Sequence, residues 1–252
     1  MSKHLYDGWC EIKLQAVKGG GRLHSISEIA GARAKQKTRI ISTVLGHYED
    51  PLHLAERAKR VGLKRAAKVL AAFLPKSKKA RSGHIGEILA TEVVPAILPD
   101  FLVPISRLRW LDGRETALRG EDVIGVARKA GHVRFLKTES KSRVSLSPGV
   151  VAAARQALNA NKGRPSQHAM GFIMHRLTEL GQSDLSQLFE NYLLAKTIAD
   201  EDIVHMFFGL AGNDASAAVR VDLEACSGRI EQHAVTFHIP DHPNFIASLY
   251  QP

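Results

Sequence analysis

The run His132-Val133-Arg134-Phe135-Leu136-Lys137-Thr138-Glu139-Ser140-Lys141 is the stretch from which the fold is read. Its β-branched and aromatic residues mark a strand. Side chains alternate along a strand, so Val133, Phe135, Lys137, Glu139 and Lys141 share one face, and Arg134, Leu136, Thr138 and Ser140 the other. Working outward, Asp122 to Ala127 and Ile105 to Trp110 are two further short β-rich runs, with Gly-containing turns between them, one of which holds Gly131. The three predict a meander. Before it, a helix is expected from Ser82 or Gly83 towards Val94, broken by Pro95 and Pro99. After it, Pro148 opens an alanine-rich helix to about Asn159, and helices follow near Gln167 to Leu180 and Asp184 to Ile198. Ile203 to Leu210 and Ala234 to Ile239 read as late strands. The order is helix, three strands, helices, strand, which predicts an α/β fold.

Residues 1–80 form a basic region whose second half is helical, because Leu52, Ala55, Ala58 and then Leu63, Ala66, Ala67, Leu70 and Leu74 recur at spacings of three and four. Pro75 ends that pattern. Lys76 to Arg81 is a charged linker, which divides the chain into a region 1–80 and a domain 81–252. Lys18-Gly19-Gly20-Gly21 is a flexible turn, without the lysine and hydroxyl that a phosphate-binding loop needs.

The chain has 252 residues, 44% of them hydrophobic and 24% charged, with two cysteines, and its mean hydropathy is -0.12. A chain of this length removes roughly 70 to 75% of its unfolded surface from water and needs no disulfide or metal staple. No apolar run approaches the roughly 18 residues of a membrane helix, and no signal-peptide core follows Met1, so a cytoplasmic address without membrane contact is expected. Cys10 and Cys226 lie too far apart in sequence for a C-x-x-C zinc pair. Among the histidines, His238 and His242 have a plausible metal spacing, but Pro240 and Pro243 argue for a solvated turn instead.

The net charge of +10 is segregated. Residues 1–80 carry 17 basic and 6 acidic side chains, 81–180 carry 15 and 9, and 181–252 carry 3 and 10. A basic front with an acidic back suits a polyanion partner, because every phosphate neutralised releases counterions. Nucleic acid is the expected partner. With 6% aromatic residues, base stacking is not its main readout, and backbone contacts imply weak sequence preference.

Glu139 and Lys141 lie about 7 Å apart along their strand, so their long side chains can converge on one cation and its water. Phosphodiester hydrolysis needs a carboxylate for the cation and a base or positive charge for the water. The acid-x-lysine triplet is not evidence by itself, since composition predicts between about one and two by chance. Two are present, the other being Glu11-Ile12-Lys13. What separates the second is its company. Asp122 heads the preceding strand, where a hairpin would set it beside Glu139, and two such acids suit magnesium or manganese. Glu87, on the helix face of Ala90, Thr91 and Val94, supplies a third acid. Taken singly, each has an ordinary role: a first-turn helix carboxylate, a turn residue, and a cross-strand ion pair.

Together, Glu87, Asp122 and Glu139-Ser140-Lys141 resemble the PD-(D/E)xK nuclease superfamily, whose restriction-endonuclease-like core is a mixed central sheet flanked by helices. More narrowly, Gly86-Glu87-Ile88-Leu89, Arg119-Gly120-Glu121-Asp122-Val123-Ile124-Gly125 and Thr138-Glu139-Ser140-Lys141 are similar to the HamA family, the nuclease subunits of the Hachiman anti-phage system. The similarity runs from about Gly83 to the C-terminus. It implies metal binding by Asp122 and Glu139, an auxiliary ligand in Glu87, a carbonyl ligand from Ser140, and a water-orienting or water-activating Lys141. Mg2+ or Mn2+ would be the cofactor, DNA the substrate, and a helicase subunit of the same system the partner. The superfamily's proline is missing, since Glu121 precedes Asp122, and Glu121 remains the alternative ligand. A catalytically inert DNA-binding subunit that loads or positions a helicase is the alternative function.

Overall fold

A computed structural model of the chain describes residues 4–111, 113–116, 120–129, 132–195 and 197–251. Arg119 of the second motif and the Gly131 turn lie outside the described residues. Six strands form one mixed sheet: β1 (Cys10–Ala16), β2 (Arg22–Glu28), β3 (Val123–Lys129), β4 (His132–Arg143), β5 (Ile203–Ala211) and β6 (Glu231–His238). Their order is β1-β2-β6-β5-β4-β3. β2, β6, β5 and β4 run parallel, and each edge is an antiparallel hairpin, β1 on β2 and β3 on β4. β5 is buried along its whole length, as an apolar strand between two parallel neighbours must be.

Nine helices among the described residues flank this sheet: α1 (Ala32–Gly46), α2 (Pro51–Val61), α3 (Leu63–Phe73), α4 (Lys78–Ile97), α5 (Pro148–Asn159), α6 (Gln167–Glu179), α7 (Ser183–Leu194), α8 (Ser216–Glu224) and α9 (His242–Ser248). On one face, α4 packs Ile85, Ile88 and Leu89 into a core shared with Leu136, Met206, Phe208, Trp9 and Phe237. On the other, Val151 of α5 and Val219 of α8 meet Phe207, while α6 and α7 close over Ile124 and Phe135. The alternation of β4 sorts its side chains between these layers, with Leu136 towards α4 and Phe135 towards α6 and α7. The α/β class and the restriction-endonuclease-like arrangement of a mixed sheet between helices are those expected from the sequence.

Four local expectations need correction. Ile105 to Trp110 is not a strand: Arg107–Trp110 forms a 3-10 turn, and the third partner of the hairpin is a single Leu102–Val126 bridge. The inward residues there, Ile105, Arg107 and Leu108, include two in succession and so do not keep the strict alternation of a strand. α4 begins at Lys78, capped by Ser77, whose hydroxyl accepts from the Ala80 amide, so most of the expected 76–81 linker is helix. Pro95 does not end α4. It lies in the last turn, where it removes one hydrogen bond while buried Val93 and Val94 hold the helix down and the Leu98 amide still donates to the Val94 carbonyl at 2.8 Å. Finally, the first 80 residues supply β1 and β2 as well as helices. The Lys18–Gly21 turn joins them, with Gly19 and Gly20 at φ +89°, and β2 bonds to β6 from Arg22 to Ser27.

Candidate functional site

Glu87 sits in the third turn of α4 against the β3–β4 edge. What lets the helix come so near is Gly86: a Cβ there would lie 3.1 Å from the Ser142 Cβ and 3.4 Å from the Ser140 hydroxyl. Asp122 comes one residue before β3. Because Val123 stands opposite Thr138, the register brings Asp122 alongside Glu139. Asp122 is fixed from the backbone, accepting from the Ser140 amide at 2.6 Å. Glu139 points away from α4, on the face of Lys137 and Lys141, and its carboxylate takes a charge-assisted hydrogen bond from the Lys141 ammonium.

The electrostatics tie the three acids together through Asp122. Desolvation, then the negative charge of Asp122, pushes the Glu87 carboxyl up to about 8, and Arg107 opposes the rise. Burial also raises Asp122, against the Ser140 hydrogen bonds and the charges of Lys141 and Arg107. Glu139 is raised by burial and then by Asp122, with Lys141 pulling it down. Each side chain retains some exposure, yet each carboxylate is ringed closely enough by protein that ionisation is disfavoured. Glu87, Asp122, His47, Thr91 and Arg107 line one small recess.

The donor chemistry of this group suits a hard divalent cation, since its carboxylates and the Ser140 carbonyl are oxygen donors. Glu87, Asp122, Glu139 and the Ser140 carbonyl are the oxygens that could hold it. Among the described residues, however, no three His, Cys, Asp or Glu side chains are gathered tightly enough to form a ready metal cage, and Glu139 is engaged by Lys141.

Glu121, the neighbour that sequence leaves as an alternative ligand, turns the other way. Its carboxylate accepts from the amide and the hydroxyl of Ser166, both at 2.8 Å, at the head of α6, and lies 3.7 Å from the Lys137 ammonium. Lys137 is 2% exposed, donates to the Ala160 and Arg164 carbonyls, and has its pKa lowered by burial.

A family model for HamA matches residues 6–251. The chain belongs to the HamA family. HamA membership places it in the setting of Hachiman anti-phage defence, and the match takes in β1 and β2, well ahead of the Gly83 at which the motif resemblance starts. A search of curated proteins gives no match. Among the described residues no helix is long and apolar enough to cross a membrane.

Two residues beside the acids escape a sequence reading. Arg107 lies in the misassigned Ile105 to Trp110 run and is 5% exposed. His47, whose Nε2 is 2.8 Å from the Glu92 carboxylate, follows α1 with no motif around it. Only packing between α1 and α4 brings it to the recess. His238 and His242 have separate partners, the Gly212 carbonyl for one and the Ser142 hydroxyl for the other.

Proposed function

We propose that this HamA-family chain is a metal-dependent deoxyribonuclease of low sequence specificity that acts in anti-phage defence together with a helicase. The observation that supports the reading is that Asp122, at the head of β3, is felt electrostatically both by Glu87 of α4 and by Glu139 of β4, whose carboxylate meets the Lys141 ammonium, and that burial disfavours ionisation of all three acids. Glu87, Asp122 and Glu139, with the Ser140 carbonyl, would hold Mg2+ or Mn2+. When bound, the cation supplies Lewis-acid stabilisation of the phosphoryl oxygens. Lys141 orients the attacking water and offsets the negative charge that grows on the phosphate. Arg107 keeps Glu87 and Asp122 from repelling each other unopposed. A nuclease without sequence restraint also has to be restrained by something else, and the helicase subunit is the natural candidate.

The second reading is an inert DNA-binding subunit that positions the helicase, and the ion pair between Glu139 and Lys141 favours it, because that pair satisfies the carboxylate without metal. Incubation with supercoiled plasmid separates the two. Relaxation or linearisation in Mg2+, blocked by EDTA and by Glu139→Ala, is expected of the nuclease. Plasmid that stays intact with every metal while DNA binding persists would leave the inert subunit.

A further inference from the structure

α2 buries none of its residues, and α3 buries only Ala66 and Leu70. Surface helices normally form by burying an apolar stripe, so this pair is held to the molecule by little and leaves most of its surface in water. That surface is strongly basic. Residues 51–73 carry Arg57, Lys59, Arg60, Lys64, Arg65 and Lys68 against one acid, Glu56. At about 100° per residue, Lys64, Arg65 and Lys68 fall within an arc of roughly 100° on α3, opposite Ala66 and Leu70. All three are exposed, and no ion pair among the described residues engages them, whereas Arg57 is held by Glu49 at 2.5 Å.

The helices also border a groove lined by His53, Arg57, Phe73, Arg109, Trp110 and Arg114. Tyr48 and Leu108, which line it too, are the chain neighbours of His47 and Arg107 in the recess that holds Glu87 and Asp122.

We propose that the free basic face of α2 and α3 is a docking surface for the phosphate backbone of duplex DNA, set beside a groove whose Tyr48 and Leu108 are the chain neighbours of the recess residues His47 and Arg107. The proposal rests on DNA being the substrate, and it adds a grip outside the acids. Charge complementarity selects this occupant. A lipid surface would take the apolar face of α3, where Leu63 and Phe73 are exposed beside buried Ala66 and Leu70, and that face lies opposite Lys64, Arg65 and Lys68, so one flat bilayer cannot meet both. A protein partner is disfavoured by the lysines, which protein interfaces avoid.

The test uses the full chain with Lys64, Arg65 and Lys68 all changed to Glu, and a control with the same charge change at exposed Lys13, Lys18 and Lys162. Binding to a labelled duplex of about 20 base pairs is followed by anisotropy in EDTA between roughly 50 and 200 mM salt. Each phosphate contact contributes about 0.9 to the slope of log affinity against log salt, so the α3 variant should lose about 2 to 3 from that slope and at least ~100-fold in affinity at the low-salt end. The control should stay within several-fold of the unmodified chain. Unchanged binding by the α3 variant, equal losses in the control, or an unmodified chain that does not bind DNA would each overturn the proposal. So would loss confined to anionic phosphatidylglycerol vesicles. Since EDTA excludes cleavage, a chain that binds through α3 yet never nicks plasmid in Mg2+ would sink the nuclease reading and leave this surface standing.

Discussion

Replacing Glu87 by Gln should make the protein more stable, and only above a certain pH. Burial and the Asp122 charge carry this carboxyl from about 4.5 to about 8 on folding. A carboxyl whose pKa is raised in the folded state binds more protons there than in the unfolded chain, so it erodes stability as pH climbs from about 4.5 to about 8 and has no further effect beyond. The gap of roughly 3.5 units at 1.36 kcal/mol each sets an upper limit near 5 kcal/mol. Residual exposure and relaxation reduce that to about 2 to 3 kcal/mol. Gln keeps the shape and removes the charge. Urea unfolding in EDTA should therefore give the two proteins nearly equal stability at about pH 4, with Glu87→Gln ahead by about 2 to 3 kcal/mol near pH 8.5. A pH slope will remain in both, since Asp122 and Glu139 are raised as well. Mg2+ should then stabilise the unmodified protein more than the variant, because a ligand that binds only the folded state adds to its stability. Parallel pH profiles, or a variant less stable at pH 8.5, would refute the claim that Glu87 is held as a strained carboxyl.

Glu139→Ala should lose divalent-metal affinity by calorimetry together with plasmid nicking, whereas Lys141→Ala should bind metal as well or better and lose about 10²- to 10⁴-fold in rate. Glu11→Ala, in the chance triplet on the opposite edge of the sheet, should nick normally; full activity in Lys141→Ala or inactivity only in Glu11→Ala would reverse the assignment. Glu121→Ala strips the head of α6 of its acceptor and leaves buried Lys137 with carbonyls alone, so it should cost about 3 to 5 kcal/mol in urea unfolding. A loss under about 1 kcal/mol would mean that the pair is dispensable.

Elements whose pattern is local were legible in the sequence. α5 was readable from Ser147-Pro148, a hydroxyl cap followed by proline in the first turn, and β4 from its period of two. That period also places Glu139 and Lys141 on one face. In β1, Cys10, Ile12 and Leu14 alternate with Glu11, Lys13 and Gln15, but it is an edge strand with Leu14 itself exposed, so the alternation is a weak mark of burial. α8 and α9 are nine and seven residues long, too short for a strong helical period. The orientation of Glu121 against Asp122 was beyond reach, because adjacent residues at a bend are sorted by Ser166, a distant partner. Arg107 and His47 likewise owe their places to packing between segments far apart in sequence.

The position of β6 has a consequence for synthesis. It sits between β2 and β5, and Arg22 meets Glu231 across 209 residues of chain. The β1–β2 hairpin, made before the other strands, therefore has no parallel neighbour until residues 231–238 have been made. Pairings this remote form slowly, and until they do the inner edges of β2 and β5 stay open to wrong partners. The acids lie on α4, β3 and β4, all made long before β6, so the sheet waits on a strand that contributes nothing to them. Translation that stalls before residue 231 leaves two unsealed edges instead of a smaller working protein.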